Sequence, residues 1–543
     1  MHTKADLPQS PQRTQRQPST VCKDILCALS VLRGEKDFYD LVEAGAFYMR
    51  RTFIIILLIV AAVTSSAFAA DDAVTRAMKL YEKRHYDEAA NLLRAESSSI
   101  DPSKQGAANL ALGMIYLKNA VLHRELYRAS TLATQDYLKK LSAAQGKDRS
   151  RFVDLYFGDT LNEAGKSGVA AIYLEKFAGN TDVDPKYLEI AKVGLGLSAQ
   201  LGNDAQKAAD RWAGVNAADP EVKAELAAAY SRAGLADKNP VALADESLAA
   251  AKRSGKPVPA RLAKNVLAVY VEARLTDKGL DLVRGMDPRT YSFRETLGKS
   301  KIINFYDLSL LGDMGTLYGQ ASIACLEKAV NDPRVRDAAE FHLGQAYALF
   351  GSIDQSAKAV ATFISTSQMP QAYKDRIRVW QGANLYLKNK RAEAEALWDE
   401  LSRKQPEDPD LLAEIVFACS RLKIESPKLA QKAVAAAEAG EGKKFSNLNI
   451  AIGTYYLHRL DNSRAVASLE AGRDKSNKNK IESNDPVMLV DLADAYFRTK
   501  KYSEALEIYF EMSKQFPEVR QIQEAMQGVY AMEHKSAGDV KIN

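Results

Sequence analysis

One spacing recurs along most of this chain and limits what it can fold into. A small residue is followed 12 positions later by alanine, and 4 positions after that by a bulky residue. The clearest copies are Gly196–Ala208–Trp212, Gly382–Ala394–Trp398 and Ala493–Ala505–Tyr509, each followed 8 positions on by a proline, at Pro220, Pro406 and Pro517. Ala77–Ala89–Leu93, Gly158–Ala170–Leu174, Gly453–Ala465–Leu469 and Ser309–Ala321–Cys325 repeat the core of the pattern, and Gly113, Ala227 and Gly344 open partial copies. Such a spacing suits a helical hairpin. Two small residues let two helix backbones approach, and the bulky residue one turn further on fills the space beside the crossing. The proline ends the second helix and starts the next unit. Taking the first small residue as anchor, and adding two weaker positions near 267 and 418, gives about twelve units with a mean step of about 38 residues. Apolar residues at helical spacing continue between the anchors, and no long alternating run suggests a sheet.

These residues resemble the tetratricopeptide-repeat (TPR) superfamily, whose period is close to this one. The last unit matches best, with Leu492-Ala493, Tyr496, Tyr502-Ser503-Glu504-Ala505, Tyr509 and Pro517. The first, with Ala77, Leu80-Tyr81 and Tyr86-Asp87-Glu88-Ala89, is similar. The resemblance covers most of 73–517 and departs from the pattern near 113–145, 227–260 and 410–440. It implies an all-α, right-handed α-solenoid of about twelve degenerate TPR-like hairpins, capped by a last helix over 518–534. It further implies a concave groove lined by the first helix of each unit, and binding without catalysis. Carrying that register over places Phe341 and Gln345, Val379 and Tyr386, Ile450, Thr454 and His458, and Asp494, Phe497 and Arg498 on the inner face. Aromatic anchors with a few polar groups suit an extended or helical peptide. The same aromatics equally suit packing between neighbouring helices.

Ahead of the repeats lies an export signal. Arg50 and Arg51 precede an unbroken apolar run from Phe53 to Val63, then Ala67-Phe68-Ala69. The run is short of the roughly 20 residues a membrane span needs. Basic, apolar and small-residue regions in that order predict a signal peptide at 49–69, cleaved after Ala69, and a periplasmic or outer-envelope mature chain without a membrane span. The alternative is an inner-membrane anchor formed by uncleaved 53–69. Residues 1–48, rich in proline and glutamine at their start, read as a leader or an extension upstream of a true start at Met49. The remainder divides into an N-terminal array over 70–284, an irregular connector over 285–301 and a C-terminal array over 302–543. A polar Lys/Asn-rich stretch between Gly472 and Pro486 reads as a loop.

The sequence holds no recognisable catalytic or metal motif. Its six histidines are scattered, without metal-ligand spacing. Gly165-Lys166-Ser167 and Gly298-Lys299-Ser300 each lack the earlier glycine of a phosphate loop. Four cysteines are too few for a disulfide scaffold, and only Cys325 and Cys419 follow the signal. A net charge of +5 is too balanced to indicate nucleic acid. The reading is a non-catalytic scaffold of a cell envelope, without cofactor, that binds an envelope protein or peptide. A solenoid that guides cell-wall polymer or exopolysaccharide is the alternative.

Overall fold

The computed structural model describes residues 72–143, 152–180, 182–286, 292–297, 301–306, 308–404, 408–439, 446–473 and 485–516, with Ile522, Ala525, Met526 and Val529 beyond them. The signal peptide, the leader, the tip of the Lys/Asn-rich loop and the connector's residues 287–291 and 298–300 lie outside these. Among the described residues no helix is long and apolar enough to cross a membrane.

The described chain is an α-solenoid of helical hairpins. In order the helices are α1 (Ala73–Glu82), α2 (Tyr86–Ala95), α3 (Gln105–Ala143), α4 (Val153–Glu163), α5 (Ser167–Ala178), α6 (Pro185–Leu201), α7 (Ala205–Ala213), α8 (Pro220–Arg232), α9 (Pro240–Arg253), α10 (Ala260–Glu272) and α11 (Thr276–Gly285). After a hairpin of strands β1 (Ser292–Leu297) and β2 (Lys301–Tyr306) come α12 (Leu308–Ala329), α13 (Arg336–Phe350), α14 (Ile353–Thr366), α15 (Gln371–Leu387), α16 (Arg391–Ser402), α17 (Pro409–Arg421) and α18 (Pro427–Ala439). Then follow α19 (Ser446–His458), α20 (Asn462–Gly472), α21 (Pro486–Arg498) and α22 (Tyr502–Gln515). Ile522, Ala525 and Val529 are helical and buried, at the spacing of one helix face, where the capping helix was expected.

Local chemistry sets both ends of each hairpin. Asp184, Asp219 and Asp485 each cap a helix that begins with proline, accepting a backbone N–H from the second residue on. The turn inside a hairpin repeats one geometry. At Arg84, Gly165, Asn203, Gly234, Arg274, Asn389, Lys423, Leu460 and Lys500 the backbone is left-handed. The next N–H in each case reaches back five residues to a carbonyl: His85 to Leu80, Lys166 to Leu161 and Lys501 to Tyr496, at 3.0, 2.8 and 2.9 Å. This closing bond satisfies a carbonyl at the helix end and reverses the chain. Gly165-Lys166-Ser167 is one such turn.

The small-to-bulky spacing is realised as contact. A Cβ added to Gly158, Gly196, Gly382 or Gly453 would fall within 2.5 Å of Leu174, Trp212, Trp398 or Leu469 respectively. Ala170, Ala208, Ala394, Ala465 and Ala505 are wholly inaccessible. Two units hide the pattern. The α8–α9 turn carries an extra 3-10 turn over Ala236–Lys238, so its buried pair is Ala244 and Leu248. In the α10–α11 pair the sizes are exchanged, with Leu267 against Gly279.

The anchors at 113 and 309 are corrected. Ser309, Ala321 and Cys325 lie on the single helix α12 and make no hairpin of their own. That helix instead pairs with α3. Added Cβ atoms on Gly113 and Gly315 would meet Leu326 and the backbone of Ala120 and Arg124. Ser322 Oγ donates to the Gly113 carbonyl at 2.7 Å. Ser356 does the same to Gly344 at 2.8 Å, 12 residues on within an ordinary hairpin. Helices α3 and α12 are therefore the two halves of one hairpin, split by the intervening α4–α11 pairs and the β-hairpin. The inserted pairs leave from the end of α3 and return to α12, where Gln320 Nε2 donates to the Val271 carbonyl of α10 at 3.0 Å. The division expected at 285–301 thus separates two helices that pack together. Part of that connector is also regular: β1 and β2 pair antiparallel, Ser292 opposite Tyr306 and Leu297 opposite Lys301. Each strand has only 6 residues, too short a window for alternation to stand out.

Candidate functional site

The densest polar cluster among the described residues lies where α3 meets α17, α19 and α21. Helix α3 has 39 residues. Its first half pairs with α12, and its middle presents Glu125 and Arg128, one turn apart, to the first helices of the last three units. Arg128 reaches three carboxylates. Its Nε donates to Glu125 at 2.7 Å, Nη2 to Asp491 at 2.7 Å and Nη1 to Asp494 at 2.6 Å. Arg421 of α17 bridges Glu125 and Asp491, the latter at 3.2 Å. Thr454 of α19 donates to Asp491 at 2.8 Å, and Arg498 to Asp494 at 2.9 Å. His458 Nδ1 lies 2.8 Å from the Ser420 carbonyl, which can only accept, so Nδ1 carries the proton and Nε2 faces Glu125 at 3.5 Å.

The cluster's carboxylates are shut off from solvent, while Arg128 keeps 23% of its side chain exposed. The side chains of Asp491 and Asp494 are 0% exposed and that of Arg421 is 3% exposed. Burial acts to raise the Glu125 carboxyl, but Arg421 and Arg128 hold it well below the usual range. Burial and the neighbouring Glu125 charge raise Asp491, only partly offset by the two arginines. The three carboxylates face three guanidinium groups, so the cluster is balanced. Glu125, His458 and Asp491 also bring potential ligand atoms within 4.8 Å of one another. That donor set does not suit a cation, because Arg128 and Arg421 already occupy its carboxylates and would have to be displaced.

The other inner-face candidates are placed individually. Val379 is buried, and its carbonyl accepts from Trp398 Nε1 at 3.1 Å. Phe341 is half-buried and packs edge-on to Phe363 and Tyr373 at 5.7 and 6.2 Å. Gln345 lies 3.2 Å from the His342 ring. Tyr386 stacks on Trp398 at 6.2 Å, and its hydroxyl donates to the Glu425 carbonyl at 3.3 Å. Ile450 is half-buried, and Phe497 is buried beside Tyr502. The structure brings Thr454, His458, Asp494 and Arg498 together around α3, keeps Ile450 and Phe497 on the same two helices without a place in the network, and leaves Phe341, Gln345, Val379 and Tyr386 in separate hairpins. Sequence reading missed Glu125, Arg128, Arg421 and Asp491. Their only trace was charge on otherwise apolar helices, and Glu125 and Arg128 lie where the repeat register is lost.

A second network closes the inserted pairs. Arg261 of α10 reaches Asp159 of α4 at 3.0 Å and Glu225 of α8 at 3.2 Å. Lys264 pairs with Glu163 at 3.1 Å. Both thiols after the signal are free; burial pushes Cys325 up to about 11 and Cys419 up to about 12, so neither is reactive near neutrality.

Partly buried His342 on α13 has its imidazole lowered to about 4, by burial and then by the Lys118 charge, against the hydrogen bond it donates to Gln345 Oε1. The folded chain keeps this ring neutral while the unfolded chain takes up a proton below about 6.5. Stability is therefore lost as pH falls from about 6.5 towards 4, by on the order of 2 kcal/mol. His342→Gln should flatten that limb of a pH series of urea midpoints, and an unchanged slope would refute the assignment.

No family model and no curated protein matches the chain. Among solved structures it is similar to yeast Tom70, at 13% identity and a TM-score of 0.29, over 86% of this chain and 96% of that one. The APC/C hetero-tetramer Cut9-Hcn1 gives 13% identity and a TM-score of 0.25, over 93% and 99%. Scores this low carry no argument, and the fold assignment rests on the hairpin geometry itself.

Proposed function

We propose that this chain is a non-catalytic interaction scaffold of a bacterial cell envelope, exported by residues 49–69 and matured by cleavage after Ala69. One observation carries the scaffold reading: the first helices of the last three units, α17, α19 and α21, already hold a helix, through Arg421, Thr454, His458, Asp491 and Asp494. A surface that grips one helix by charge and hydrogen bonds is suited to gripping another. Export rests on the basic, apolar and small-residue order of 49–69.

Two measurements test these parts separately. The amino terminus of the protein recovered from the native envelope is expected at Ala70; a start before Met49, or a retained apolar run, would overturn the export reading. Photo-crosslinkers placed at the exposed apolar positions Ile172, Leu460 and Phe510 in living cells are expected to capture the same envelope protein in repeat experiments. Retention on purified cell-wall or exopolysaccharide polymer, with no protein crosslink, would replace the scaffold by the polymer-guide reading.

A further inference from the structure

In a repeat array each unit contacts mainly its neighbours, so a terminal unit is held on one side only. Helix α21 does not have the surface of such a terminal helix. It is buried without a break from Pro486 to Phe497, so no face of it is left for solvent. Helices α19, α20 and α22 pack on it, and α3 packs on it as well. That last contact is apolar as well as charged. Leu122 and Ala129, one turn either side of Glu125 on α3, are buried, and so is Val487, one turn before Asp491 on α21. The α1–α2 turn also reaches the end of α22, with the His85 ring 5.9 Å from buried Phe516. The first helices therefore pack in an unbroken circuit, from α3 to α12, α13, α15, α17, α19 and α21, and back to α3.

The apolar and charged parts of the α3–α21 contact have different effects. Apolar burial supplies the stabilisation. A buried charge network adds little net stability, because desolvation offsets most of the attraction, but a partner left unmatched is costly. In the observed register Arg128 meets Asp491 and Asp494 while Glu125 meets Arg421. A shift of one helical turn would leave buried charges unpaired, so the network fixes where α3 seats. We infer that helix α3 is a built-in strap that closes the array on itself, joining the first units to the last so that the hairpin of α21 and α22 does not fray as an end unit. The inference goes beyond the scaffold reading and does not rest on it. In an open array a disturbance at α3 would pass through α12, α13 and α15 and fade before the last unit. In the closed one it reaches α21 directly, although Arg128 and Asp491 are 363 residues apart.

The test is native-state hydrogen exchange, resolved by peptide mass spectrometry, on the chain from Ala70 to its end. In the unsubstituted chain the amides of α21 are expected to exchange as slowly as those of α15, within about tenfold. Arg128→Met removes both of its bonds to α21, and Leu122→Val trims the apolar contact more gently. Exchange at α21 should then rise by about 100-fold or more in the first variant and by about three- to tenfold in the second. In each, the rise at α21 should match that at α12 and be no smaller than that at α15. A rise that is graded from α12 through α15 to its least at α21 would overturn the strap. So would unaltered exchange at α21 in both variants, or an α21 that frays far faster than α15 in the unsubstituted chain. Should neither substituted chain fold, that last comparison decides alone.

Discussion

Trp398→Ala is expected to lower the unfolding free energy by about 3–5 kcal/mol, read as a shift in the urea midpoint followed by far-UV circular dichroism. The indole is fully buried in a cluster with Val379, Trp380, Ala383, Leu411 and Ile415. Its ring stacks with Tyr386, and its Nε1 donates to the Val379 carbonyl. Truncation therefore leaves a cavity and removes the indole's hydrogen bond, while the Val379 carbonyl keeps its place inside helix α15. The close partner is Gly382, where an added Cβ would lie 2.3 Å from Trp398 Nε1. Gly382→Ala alone should cost about 1–3 kcal/mol, because a packed indole has nowhere to go. In the Trp398→Ala background the same change meets space, and the better helix propensity of alanine should make it neutral or stabilising by up to about 1 kcal/mol. An equal cost in both backgrounds would show that Gly382 and Trp398 are not the contact that sets the helix crossing.

The second large effect belongs to the split hairpin. Gly315→Leu should cost about 3 kcal/mol or more. A Cβ there would stand 3.2 Å from the Arg124 backbone nitrogen and 3.3 Å from the Ala120 carbonyl oxygen. Neither is a flexible side-chain end, so the two helices must separate. Because α3 and α12 carry both ends of the inserted pairs, the damage should reach both parts of the array. A calorimetric scan is expected to show a lower and broader transition. Gly168→Leu is the control. Gly168 lies on α5 with nothing within 4 Å of an added Cβ, so its melting should move by no more than about 0.5 kcal/mol in equivalent stability. Similar losses in both variants would mean that α3 and α12 are not the tight pair described.

Much of the fold was legible because a hairpin is a local object. Gly196 and Trp212, or Gly382 and Trp398, meet across a turn of fixed geometry, so contact in space appears as a constant distance in sequence. The pattern weakened where local details changed, through the added turn at Ala236–Lys238 and the exchanged sizes of Leu267 and Gly279. The inner-face register was less informative. Tyr386 and Phe497 are aromatic residues on an expected surface, yet each has a packing partner within its own hairpin.

What the sequence determined by itself is the set of hairpins: short-range spacing, Asp-Pro helix starts and left-handed turns act within a few tens of residues and need no other part of the chain. Only the tertiary structure decided which helix completes Gly113 and what packs against the first helices of the last units. Ser322 stands in the slot that Ser356 occupies in an ordinary hairpin, but 209 residues from its partner. Arg128 finds Asp491 at a separation of 363 residues and Asp494 at 366. Steric fit and charge pairing act on proximity in space, and at such separations no periodicity of the chain records it.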